Sequence, residues 1–247
     1  MATIYHYIDE CYRENGEHWH CNVGGALVEI SKVVQAEVAL ESEIYRLALG
    51  EGFPFAQREF KYTDFFRETP DEYKIKVAKA LTAVVVDLAI AFLVSHATIR
   101  KSALLKIDPF SAPSLQIQQL AFINIKNYLS DLAVSHQLQI VVDLGISESF
   151  RPIYDLYCSA VRGIPMLKAR GIADEQITIP NYRNLLRPLF LDSGDSRLLQ
   201  FSDLLIGLLL ARRLGVLTPF KEAMLQCIEP TLKNVREYTV EWNKEGG

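Results

Sequence analysis

The chain has 247 residues, 49% of them hydrophobic and 23% charged, with a formal net charge of −4. That balance excludes an intrinsically disordered chain and a globally basic nucleic-acid wrapper, and 13 glycines and 4 cysteines exclude collagen-like and disulfide-scaffold designs. The length suits one domain with its own core.

Two β-rich runs open the chain, Thr3–Asp9 and His18–Ile30, with Asn15-Gly16 between them as the turn of an antiparallel hairpin. Alternation puts Ile4, His6 and Ile8 on one face of the first strand and Tyr5, Tyr7 and Asp9 on the other, so the strand is expected to end on the acids Asp9 and Glu10. Gln35–Leu49 spaces Val38, Ile44, Leu47 and Ala48 for a helix that stops at Gly50. Arg58–Tyr62 reads as a short extended stretch. Pro70 opens a second helical pattern through Tyr73, Val77, Ala80, Leu81 and Val84, because a proline's missing N–H had no partner at a helix start. The apolar run Leu88–Val94 predicts a buried strand. A helix follows at Pro113–Ser135, then a buried strand, Leu138–Val142, closing on Asp143. Next come a helix at Glu148–Val161, a short strand at Gln176–Ile179 and a last strand, Arg187–Leu191, closing on Asp192. Ser196–Leu214 predicts a strongly apolar helix carrying Gln200 and Asp203. Hairpin first, helix–strand alternation after, predicts a single α/β domain: a mixed β-sheet flanked by helices on both faces.

Cys11, Cys21, Cys158 and Cys227 show no C-x-x-C spacing, which fits free thiols in a reducing cytoplasm. The start MATIYHYIDE has no signal-peptide pattern. The most apolar stretch, Ala80–Ser95, contains Asp87 and is shorter than the roughly 20 residues of a spanning helix, so no membrane is expected.

Three places combine an acid with an expectation of burial: Asp9-Glu10 after Ile4–Ile8, Asp143 at the end of LQIVVD, and Asp203 inside LLQFSDLLIGLLLA. An ionised carboxylate in such surroundings costs several kcal/mol unless it is partnered. Converging carboxylates repel one another, and a hard divalent cation with a preference for oxygen ligands, Mg²⁺ or Mn²⁺, is the usual remedy. Gln200 and Asp203, three apart, share one helix face. The competing assignment for Asp203 is capping or an ion pair with Arg197, Arg212 or Arg213.

The YIDE of Asp9-Glu10, the IVVDLG of Asp143 and the stretch LFLDSGDSRLLQFSDLLIG resemble the domain-of-unknown-function family numbered 3800, marked by an N-terminal Asp-Glu and a C-terminal Gln-x-x-Asp, here Gln200 to Asp203. Glu59-Phe60-Lys61 resembles a further Glu-x-Lys stretch of that family, whereas Cys11-Tyr12-Arg13 departs from the small residue and Gly that usually follow Asp-Glu. The resemblance runs from about Ile4 to Gly207. It implies a ribonuclease H-like fold in which acids from the first strand, a central strand and a late helix meet around metal: Asp9 with Glu10, Asp143 and Asp203.

Such a constellation supports phosphodiester hydrolysis, because metals can activate a water and stabilise the leaving oxygen. On this view Asp9, Asp143 and Asp203 are the metal ligands. Glu10 adds a ligand or orients one, Gln200 positions Asp203 or substrate, and Lys61 offsets developing phosphorane charge. The span Arg151–Arg187 is net basic, with Tyr154, Tyr157 and Tyr182 interleaved, and would suit a nucleic-acid backbone. His18-Trp19-His20-Cys21 places two histidines on one strand face, as a polar hairpin edge or a site for a soft metal, and Gly24-Gly25 matches no phosphate loop. The favoured expectation is a cytoplasmic metal-dependent nuclease or phosphodiesterase. The alternative is a non-catalytic interaction or scaffold protein whose apolar segment after Gly207 packs against a partner or a second copy of the chain.

Overall fold

A computed structural model describes residues 2–51, 70–103, 135–144 and 186–242, together with 169, 171 and 184. Strand β1 (Thr3–Asn15) turns at Gly16 into β2 (His18–Glu29), followed by helices α1 (Ile30–Glu51) and α2 (Asp71–Asp87). Strands β3 (Ala91–Arg100), β4 (Gln137–Asp143) and the short β5 (Leu189–Leu191) come next. A 3₁₀ turn (Ser193–Asp195) leads into α3 (Arg197–Arg213), and α4 (Pro219–Leu232) and β6 (Val235–Trp242) close the fold.

The six strands form one mixed sheet in the order β5-β4-β1-β2-β3-β6. β1, β2 and β3 pair antiparallel, while β4 lies parallel to β1, β5 parallel to β4 and β6 parallel to β3. The expected α/β class with a mixed sheet and helices against it is therefore observed. The described helices all pack on one face. There α1 presents Ala36, Leu40, Ile44 and Leu47, and α2 presents Val77, Ala78, Leu81 and Val85, each set at helical spacing. The other face is buried too, through Ile8, Cys21, Val23, Leu93, Ala97, Ile99, Leu138 and Val142. The predicted elements at 58–62, 113–134, 148–161 and 176–179 lie outside the described residues. So do Glu59, Lys61 and most of the basic span 151–187.

Two boundaries differ from expectation. β1 does not end at Asp9 but continues to Asn15, because its hairpin ladder with β2 runs on to Asn15↔His18, whereas its pairing with β4 ends at Ile8↔Val142. The run Leu88–Val94 is split: α2 reaches Asp87, a turn closes through Leu88 N–H to Val84 and Ile90 N–H to Val85, and the strand starts at Ala91. Ala89 takes a left-handed φ of 53° in that turn. Apolar content alone does not separate a helix end from a strand start.

Helix α3 is the central element, buried on nearly every side. Ser196 caps it, its Oγ accepting from Leu199 N–H, and Arg212 and Arg213 complement the negative end of its dipole. No helix among the described residues is long and apolar enough to cross a membrane.

Candidate metal centre

β1 and β4 place two acids side by side. Their parallel register ends at Ile8↔Val142, and the next residues on each strand are Asp9 and Asp143. β4 stops at Asp143, so the pair sits where one strand leaves the sheet and the other continues, a position open to loop residues and ligands. Both are buried, each with 7% exposure. The third acid, Asp203, comes from α3.

Two contacts hold α3 against β2 on either side of Asp203. Ser202 Oγ accepts from Ala26 N–H at 3.1 Å while donating to Leu198 O at 2.7 Å. One turn on, Asn22 Nδ2 donates to Ile206 O at 3.0 Å, and Cys11 Sγ lies 3.3 Å from the same carbonyl. This close approach explains Gly24-Gly25: a Cβ on Gly25 would stand 2.1 Å from Tyr7 O and 2.6 Å from Ser202 Oγ, and one on Gly24 2.1 Å from Leu93 O. The glycine pair makes room for backbone and helix, in keeping with its lack of a phosphate-loop pattern.

The electrostatics of the site are those of crowded acids. Burial first, then Asp203, Glu10 and Asp143, raise the Asp9 carboxyl well above its usual range, although Asp9 Oδ1 accepts from Glu10 N–H at 2.7 Å. Burial, Asp143 and Asp203 push Glu10 up to about 8. Strand alternation puts Asp9 on the α3 side with Tyr7 and Cys11, and Glu10 on the opposite side with Ile8. Asp9 and Asp143 thus share the α3 side, and although Glu10 alternates to the other side its carboxyl still reaches the Asp9 side chain in a hydrogen bond. Of the arginines named as alternative partners for Asp203, Arg197 pairs with Glu41, and Arg212 and Arg213 pair with Glu237.

Gln200 has a different setting. It is 1% exposed, its Oε1 accepts from Arg197 at 2.7 Å, and its Nε2 donates to Ser193 O at 2.7 Å. Glu37 of α1 completes this junction by accepting from Ser196 Oγ at 2.5 Å and Arg197 N–H at 2.8 Å. Gln200 therefore anchors the start of the helix that carries Asp203. Asp192 caps the 3₁₀ turn, accepting from Gly194 N–H at 2.9 Å. Cys21 is fully buried and its thiol is raised well above normal by burial and by Glu10, as Cys11 is by burial, Cys21 and Asp203, so neither is an activated nucleophile.

The donor set is oxygen-only and strongly acidic, the chemistry a hard divalent cation requires. Its spacing is looser than a closed chelate: among the described residues no group of three His, Cys, Asp or Glu side chains stands close enough to hold a metal ion. An ion here would have to draw the carboxylates inward. No protein-family model, curated protein or solved structure matches the chain. Asn22, Ser202 and Glu37 were not singled out from the sequence. Asn22, a lone amide in the apolar run CNVGGALV, carries the related signal of a polar side chain where burial is expected.

Proposed function

We propose that this chain is a metal-dependent nuclease or phosphodiesterase with a ribonuclease H-like fold, related to the domain-of-unknown-function family numbered 3800. The observation that carries this reading is the crowding of acids from three separate elements, the buried Asp9 on β1 and Asp143 on β4 and the half-buried Asp203 on α3, which together raise the Asp9 carboxyl. A first strand, a central strand and a late helix are the three sources that the family resemblance implies.

Asp9, Asp143 and Asp203 would hold Mg²⁺ or Mn²⁺, with Glu10 adding charge beside Asp9. The ion would supply Lewis-acid activation of a water and stabilisation of the leaving oxygen of a phosphodiester. The chain's own part is positional. Asn22 and Ser202 fix α3 against β2, and Gln200 and Glu37 fix its first turn. The raised carboxyls keep protons until a cation displaces them, so burial costs less while the site is empty of charge.

Thermal melting in EDTA, Mg²⁺ and Mn²⁺, with and without an oligonucleotide, tests the reading on the native chain and on Asp143→Asn. Support would be a metal-dependent rise in Tm, lost in the variant, together with cleavage of labelled DNA or RNA that also needs Asp143. No shift at millimolar Mn²⁺ with oligonucleotide present would discard it. The second reading, a non-catalytic interaction protein on the same scaffold, draws on α1, where Val34, Val38 and Leu49 are 73%, 59% and 87% exposed. It predicts self-association or partner capture that is indifferent to Asp143→Asn.

A further inference from the structure

Beyond Asp9, the α3 side of the sheet carries a second polar group, at the hairpin end. The register sets Arg13 of β1 beside His20 of β2 and His20 beside Thr98 of β3; the next row holds Asn15, His18 and Arg100. The His18 and His20 rings are 6.2 Å apart, and His20 stacks on His96 at 5.8 Å.

A hydrogen-bond chain dictates the protonation of these rings. Asn22 gives its Nδ2 to Ile206 O, so its Oδ1 is the atom that meets His96 Nδ1, at 2.6 Å. A carbonyl oxygen only accepts, and His96 Nδ1 therefore carries the proton. Burial first, then Arg213 and His20, hold the His96 imidazole down to about 3, so it is neutral and its Nε2 accepts the Thr98 hydroxyl proton at 3.0 Å. Thr98 Oγ1 then has only lone pairs to offer His20 Nδ1, 3.2 Å away, and His20 must donate there. With Nδ1 committed, His20 Nε2 gains a proton only if the ring becomes an imidazolium.

We infer that this end of the sheet, with Arg13, His18, His20 and Arg100 at its centre, binds the phosphate backbone of a nucleic acid, and that His20 takes up a proton as the phosphate binds. The inference rests on the nuclease reading for the class of ligand, but on different residues. The charged groups around His20 favour an anion. Arg13 lies beside it on β1, His18 and Arg100 in the adjoining row, and Arg213 of α3 is close enough to depress it. Against these stand Glu237, bound to Arg212 and Arg213, and Glu241, opposite Thr98 on β6. Burial, His18 and Arg213 all lower the His20 imidazole, so the free protein presents it neutral at pH 7 and phosphate has to supply the charge that protonates it.

The test is binding of a fluorescein-labelled oligonucleotide to the full chain in EDTA from pH 6 to pH 8.5, with cleavage in Mn²⁺ measured on the same preparations. Affinity should fall about tenfold per pH unit above 7, the slope expected when one proton must be bound. His20→Gln should flatten that slope. Arg13→Gln should weaken binding and lower the salt dependence by about one phosphate contact. Arg13 is exposed on a strand edge, so its variant keeps the test sound if His20→Gln fails to fold. Unchanged affinity, pH slope and salt slope in Arg13→Gln and His20→Gln would overturn the inference while leaving Asp143-dependent cleavage to stand. Binding that keeps its His20 dependence without any Asp143-dependent cleavage would retain this surface and discard the nuclease reading. A tight response to Zn²⁺ at pH 8, lost in His18→Gln, with no oligonucleotide binding would also overturn it, by showing the histidines to be metal ligands.

Discussion

Asn22 and Ile206 join the sheet to its central helix through a buried hydrogen bond of 3.0 Å, one helical turn beyond Asp203. Asn22 is 2% exposed, and its other amide atom is held by His96, so both ends of the side chain are committed. Asn22→Leu removes the donor and leaves the His96 Nδ1–H facing an apolar group, an unsatisfied buried donor that costs about 1–3 kcal/mol. The expected result is a lower Tm and, on the nuclease reading, a Mn²⁺ affinity several-fold weaker because α3 is free to shift. Measuring the Mn²⁺ affinity of Asn22→Ala well below its own Tm, where the chain is folded, separates the two effects: a purely structural role would leave that affinity untouched.

Gly25 is the tightest point between β2, β1 and α3. Gly25→Ala puts a methyl 2.1 Å from the Tyr7 carbonyl, a backbone atom that cannot give way. We expect a loss of more than about 3 kcal/mol, at the severe end of single substitutions. Gly16→Ala is the control. Its φ of 58° also disfavours a side chain, but nothing lies within 4 Å, so the cost should be about 1 kcal/mol. Urea melts of the two variants check the contrast, and equal losses would mean that backbone conformation rather than close approach governs Gly25.

The junction at the start of α3 makes a third case. Arg197 is 8% exposed and its guanidinium is held by Glu41 and Gln200, while its backbone N–H goes to Glu37. Removing one partner of such a pair leaves a charge with too little solvation. Gln200→Leu should therefore lower stability by about 1–3 kcal/mol through Arg197 and the Ser193 carbonyl. Chemical denaturation measures it. A neutral effect would show that water replaces the amide.

The hairpin, the strand at Leu138–Val142 and helix α3 were legible because each has a clear apolar pattern and a recognisable boundary, such as the Asn15-Gly16 turn or the helix-starting Ser196. The extension of β1 through Cys11–Asn15 was not, since those residues are mostly polar and earn their place by pairing with β2. Helix α4 and strand β6 were missed although Thr218-Pro219 is a start signal and VREYTVEW alternates. Thr218 Oγ1 does accept from Lys221 N–H, and Pro219 occupies the first turn. At the candidate site, Asp9, Asp143 and Asp203 were readable as acids in apolar surroundings. The hydrogen bonds that orient α3 were not, because Asn22 and Ser202 meet residues 184 and 176 positions away.

Stability should depend on pH with a sign fixed by two opposing sets of buried groups. Asp9 is raised and Glu10 is raised to about 8, so the folded chain keeps protons that the unfolded chain releases above about 4.5. Their contribution is complete below that point and is lost as pH rises through 8. His6 and His96, both lowered to about 3, act the other way: the unfolded chain takes up protons below 6.5 that the folded chain refuses, so stability falls as pH drops from 6.5 towards 3. The two slopes oppose each other between about 4.5 and 6.5, and above 6.5 only the carboxylates remain. In EDTA the Tm should be flat across the first window and decline from pH 6.5 to 8, with Glu10 alone contributing up to about 2 kcal/mol at about 1.4 kcal/mol per proton and pH unit and Asp9 adding to it. Asp9→Asn removes one of the two retained protons and should make the alkaline decline shallower, leaving the part due to Glu10, which burial, Asp143 and Asp203 still raise. Adding Mn²⁺ should remove the decline in the native chain, and a decline that persists unchanged when Asp9→Asn is combined with Glu10→Gln would place its origin outside these carboxylates.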